Sequence, residues 1–147
     1  MNTTLLYEQD FYSWIQQHIV LLKEARFNEL DINHLVEELE DMGKSNKREL
    51  ESRFIILIAH LLKWQYQVEM RSNSWRCSII EQRVSINYLL KKVPSLKNAI
   101  SESIVEAYPD AVEIAVAETK LLISTFPTEC NYAKESLLNS EFYPESN

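Results

Sequence analysis

Gly43 is the only glycine in a chain of 147 residues, where average usage would give roughly ten. That scarcity excludes whole classes of fold and chemistry. A phosphate-cradling P-loop, a GxGxxG dinucleotide turn and a GxSxG nucleophile elbow each need several glycines, so none can be built. Asn-Gly and Asp-Gly hairpins are missing as well. With 46% hydrophobic and 25% charged residues, the chain can still bury a full core. The expected fold is all-α: one domain over residues 1–147, a bundle of six or seven helices.

Hydrophobic spacing places the helices. The first runs from about Asp10 to Arg26, with Asp10 as N-cap and Trp14, His18 and Leu22 on one face. The second runs from Ile32 to Met42, with Asp31 as N-cap and an inward stripe of Ile32, Leu35, Val36, Leu39 and Met42. Gly43 then reads as a left-handed stop. The third, over about 45–67, is apolar nearly all round from Phe54 to Leu62 and is the buried central helix. The fourth spans Trp75 to Lys92, capped by Asn73 or Ser74. Pro94 and Pro109 each open a further helix, Leu122 falls on the inward face of the one after Pro109, and a short last helix covers Tyr132 to Leu138. Phe142 and Tyr143 then fold back onto the bundle.

Charge is unevenly distributed. The net charge is −7, but residues 44–97 hold eleven Lys/Arg against four Asp/Glu, and the flanking segments 1–43 and 98–147 each hold two against nine. The acidic segments are expected to neutralise the basic one inside the fold; an exposed basic face for an anionic partner is the competing reading. Overall acidity argues against nucleic acid as a partner. Cys77 and Cys130 show no zinc-ligand spacing and suit a reducing compartment. The N-terminus lacks the features of a signal peptide. No apolar run spans a bilayer. A cytoplasmic location is expected, with no membrane contact.

Costly polar residues gather in one stretch. His60, Trp64 and Gln67 lead into Arg71, Trp75, Arg76 and Arg83. Trp64, Gln67, Arg71, Trp75, Arg76 and Arg83 are the candidate binding residues, since guanidinium forks and indole faces recognise anions and rings. His60 is expected to face the core with Trp64, where an unpaired ring would cost about 1–3 kcal/mol. His60 and Arg53 are also the candidate catalytic pair. Arg53, six residues and His60 fit the loose Arg-x4-6-His spacing of the helical HEPN ribonucleases, although Phe54 replaces the usual polar residue after the arginine. His18, His34 and His60 fall on different helices without a Glu-x-x-His or His-x-x-x-His pair, so no metal site and no cofactor are expected.

The run from Asp10 to Trp14, the run from Leu35 to Gly43, and above all His60-Leu61-Leu62-Lys63-Trp64-Gln65-Tyr66-Gln67 with Arg71-Ser72-Asn73-Ser74-Trp75 resemble the bacterial domain-of-unknown-function family numbered 29. Glu81-Gln82-Arg83, Pro94-Ser95-Leu96, Glu118-Thr119 and Phe126-Pro127-Thr128-Glu129-Cys130 follow in the family's order. The resemblance implies a compact helical domain of the bacterial cytoplasm and carries no activity with it. The chain departs from the pattern where Ala25 and Lys120 replace glycines and Val68 replaces a proline. The function expected from these residues is a non-enzymatic interaction or adaptor domain that self-associates. The alternatives are metal-independent RNA cleavage or anion binding through Arg53, His60 and the Arg71/Arg76/Arg83 cluster, and non-specific nucleic-acid binding through segment 44–97.

Overall fold

The computed structural model describes residues 3–146, and they are all-α. Six α-helices occur among them: α1 (Thr3–Gln9), α2 (Phe11–Lys23), α3 (Ile32–Tyr66), α4 (Asn73–Lys92), α5 (Ile100–Thr119) and α6 (Lys134–Leu138). Backbone contacts gather the chain into two compact units, residues 1–44 and residues 45–147.

In the first unit, α1 was not expected from sequence. Asp10 separates it from α2, because its carboxylate accepts the Ser13 N–H at 3.1 Å and the Ser13 hydroxyl at 2.7 Å. This is an N-cap that starts a new helix. α2 ends at Glu24. Ala25 then adopts φ 57°. The N–H of Ala25 reaches the Leu22 carbonyl and that of Arg26 the Leu21 carbonyl, a Schellman closure. Trp14, His18 and Leu21 are buried.

Gly43 does not stop a helix. The two helices expected on either side of it are one helix, α3, of 35 residues, and no glycine has positive φ. A glycine inside a helix costs roughly 1 kcal/mol relative to alanine, too little to break a helix anchored at one end in a core. The stripe expected to face inward on its first turns is also corrected. Ile32, Val36, Leu39 and Met42 are 47–67% exposed, and only Leu35 is half-buried. Asp31 precedes α3 in the expected N-cap position: its carbonyl accepts the Leu35 N–H at 3.0 Å, and its carboxylate bonds His34 in the first turn as well as the Trp14 indole.

In the second unit, the remainder of α3 is the buried central helix, as its composition predicts. Leu50, Phe54, Leu57, Ile58, Leu61 and Leu62 are essentially inaccessible. They pack in one core with Ile79 and Ile86 of α4, Ala107, Ala111 and Ala115 of α5, and Leu137 of α6. Ser72, not Asn73 or Ser74, caps α4, accepting the Trp75 N–H at 3.2 Å. Pro94 opens a 3-10 turn (Pro94–Ala99) and Pro109 lies inside α5. The expected break at Pro109 is absent. The carbonyl it leaves without a donor belongs to Val105, a residue on the exposed face of the helix. α5 ends instead at Lys120, φ 62°, so Leu122 lies outside the helix and is exposed. Phe142 and Tyr143 pack against the core as expected. No helix among the described residues is long and apolar enough to cross a membrane.

Candidate functional site

The predicted binding residues lie in the second unit, at the end of α3 and along α4. Their distribution is built from rings outward. Trp64, 9% exposed, lies 5.0 Å from the Tyr143 ring, centroid to centroid. Arg71 stacks on Trp64 at 4.8 Å. Arg76 reaches both rings, at 5.6 Å from Trp64 and 5.4 Å from Tyr143, and Arg83 lies 5.6 Å from Tyr143. Arg76 and Arg83 are seven residues apart on α4 and so share one face. Cation–π attraction favours such placements, by about 0.5–2 kcal/mol each.

The three arginines differ in how they are held. Arg83 is 3% exposed. Its Nε donates to the Leu137 carbonyl at 2.9 Å and its Nη2 to the Ser136 carbonyl at 3.3 Å. Both carbonyls lie at the end of α6, where the Ser136 carbonyl also accepts the Asn139 N–H at 3.2 Å, so Arg83 anchors the last helix. Burial pushes its guanidinium below the ordinary value, and Tyr143 offsets part of that. Arg71 donates from Nε to the Trp64 carbonyl at 2.8 Å. Arg76 is exposed. No carboxylate of the described residues forms an ion pair with any of the three. The expected pairing of the basic segment with an acidic one is met only in part among the described residues. Of its eleven cations, Lys47, Arg53 and Lys63 pair, with Glu102, Glu49 and Glu118.

Gln67 and Trp75 lie next to this corner with structural partners. Gln67 donates to the Thr119 carbonyl at 3.2 Å, closing the end of α5. Trp75 is half-buried, with the Lys63 ammonium 4.7 Å above its ring. Lys63 is itself buried and hydrogen-bonds Glu118. Lys63, Glu118 and Tyr143 were not singled out in the sequence as site residues. A lysine within an apolar run was the available signal for the first.

The predicted catalytic pair is not assembled. His60 is half-buried rather than in the core, and its Nδ1 bonds the Ile56 carbonyl of its own helix at 2.8 Å. Burial lowers its pKa and so does Lys63, against the opposing pull of the Ile56 carbonyl and Glu118. Arg53 lies two helical turns away, about 10 Å along the axis. It contacts Gln82 at 3.4 Å and Glu49 at 3.7 Å. It lines a groove of about 400 Å³ with Tyr88 and Lys92, which His60 does not enter.

Sequence reasoning missed a second polar cluster, in the first unit. Asp31, 8% exposed, receives the Trp14 indole N–H at 3.2 Å and bonds His34 Nδ1 at 2.6 Å. Burial pushes the Asp31 carboxyl up, but these bonds outweigh it and leave its pKa lowered. His18 accepts the Asp31 backbone N–H at Nε2, 3.0 Å, so its Nδ1 is the donor to the Trp14 carbonyl at 2.9 Å. Both ring nitrogens are thereby committed, which makes His18 a satisfied neutral core histidine. Tyr7 stacks on His34 at 3.8 Å. Its hydroxyl donates to Glu38 at 2.5 Å, pushing its pKa up to about 12. Among the described residues, no group of three His, Cys, Asp or Glu side chains could hold a metal ion.

No curated protein and no solved structure matches the chain. The family model described as a domain of unknown function, DUF29, matches residues 6–143, almost the full span of the helices and arginine corner described above, and the chain belongs to that family.

Proposed function

We propose that the chain works as a single non-enzymatic interaction module of the cytoplasm, and that it self-associates through its first unit. One observation carries this reading. Of the twenty large apolar side chains exposed among the described residues, eleven lie between Leu5 and Met42, whereas Trp14 and Leu21 are the only buried apolar ones there. A unit of this size needs more burial than two side chains provide. Half-exposed side chains of this kind leave on the order of 80 Å² each open to water, about 900 Å² in all over α1, α2, the turn after it and the start of α3, of the same order as the ~800 Å² per partner in a standard interface. Every copy of the chain carries the same surface, and two-fold pairing of identical patches is the commonest mode of assembly. Two free thiols, one of them exposed, suit a reducing compartment.

RNA cleavage ranks behind this reading, because Arg53 and His60 each engage other partners. Nucleic-acid binding through segment 44–97 ranks behind it because the chain as a whole is acidic. Sedimentation equilibrium tests the proposal. The wild type is expected to be a dimer at tens of micromolar. Leu39→Glu, at a side chain 64% exposed, is expected to give a folded monomer. A wild type that stays monomeric over that range overturns the reading.

A further inference from the structure

We propose that Arg71, Arg76 and Arg83, gathered on the Trp64–Tyr143 ring pair, form a binding site for a single oxyanion of phosphate size. This does not rest on self-association. The argument begins with donors that have no acceptor. Arg83 is 97% buried by exposure of 3%, and its Nη1 is buried with no hydrogen-bond partner. Arg71 repeats the pattern: Nε is bonded to the Trp64 carbonyl, and Nη2 is buried without a partner. Buried donors are almost always paired. Here two orphans fall on guanidinium groups that share one ring pair, in a corner whose arginines meet no carboxylate among the described residues.

What the corner lacks is therefore an acceptor, and a charged one. Water would satisfy a donor but leave three like charges uncompensated. An oxyanion answers both needs, since guanidinium forks bond two oxygens at once. The aromatic faces hold the forks in place before the ligand arrives, which lowers the ordering cost of binding. Arg76 is the exposed member and gives the ligand its point of entry, while Arg71 and Arg83 contribute from behind. The size limit follows from the surroundings. Segment 98–147 of the same unit is strongly acidic, and it repels a long polyanion far more than a single small ion.

Titration calorimetry of the full chain with sodium phosphate, at ionic strength held constant with chloride, tests the site. One phosphate per chain is expected to bind saturably. Arg76→Ala, at an exposed side chain, is expected to keep the helical circular dichroism, to lower the melting temperature by no more than a few degrees through its lost ring contacts, and to weaken binding about tenfold. Arg76→Lys, which keeps the charge but loses the fork, is expected to fall between. Sulfate is expected to compete with phosphate. Absence of saturable heat with wild type, or a folded Arg76→Ala that binds as the wild type does, overturns the proposal.

Discussion

Ala25 and Lys120 hold the left-handed backbone, φ 57° and 62°, without being glycine. Each sits just past the end of a helix. A side chain there costs roughly 1–2 kcal/mol over glycine. Lys120→Gly and Ala25→Gly are therefore each expected to stabilise the fold by about 1 kcal/mol, less whatever the freer unfolded chain takes back. A thermal melt would read this as a rise of ~2–4 °C. These two positions were legible in the sequence, as places where the chain departs from its family's glycines. His60 was not, because its apolar neighbours pointed to the core. Its pKa is lowered, so below its ordinary value of 6.5 the unfolded chain binds the proton more readily. Its contribution to stability is thus present at neutral pH and lost as pH falls from that value through the lowered value of the folded state. His60→Gln is expected to flatten the stability profile between pH 7 and 5. A profile as steep as that of the wild type would place the titration elsewhere.

At the scale of elements, the two punctuation residues both misled. Gly43 and Pro109 read as boundaries in a local window, but tertiary burial decides. α3 is anchored by Leu50, Phe54, Leu57 and Leu61, and α5 by Ala107, Ala111 and Ala115, so each tolerates a local cost of a few kcal/mol at most. A Cβ added at Gly43 would meet nothing within 4 Å, and its φ is not positive. Gly43→Ala is accordingly expected to stabilise the protein by about 0.5–1 kcal/mol, measured by denaturant unfolding with an unchanged m-value. A loss of stability would mean that the helix is not continuous there. Capping chemistry was legible where it is local, as at Asp10. At Asp31 the cap position was legible too, but its bond to the Trp14 indole of α2 was not, because that partner is distant in sequence.

For the whole molecule, the all-α class followed from one glycine and helical spacing. The central helix followed from the apolar run at Phe54 to Leu62. The exposed first turns of α3 could not be read, because an amphipathic stripe says that a face is apolar and not what covers it. The charge pattern was equally ambiguous. Eleven cations in segment 44–97 could have met carboxylates from the flanking segments, and only the fold separates the three that pair from the arginines that do not.

The three tryptophans divide between the two units, and this gives the chain an optical property. Trp14 is alone in the first, stacked 4.2 Å from the His18 ring with its indole N–H on Asp31. Trp64 and Trp75 are in the second, each beneath a cation. Indole emission from this protein is therefore a sum of two signals with different quenchers. Its colour and intensity follow the imidazole and carboxylate of one unit and the guanidinium and ammonium groups of the other, so a change in fluorescence does not by itself say which unit has loosened.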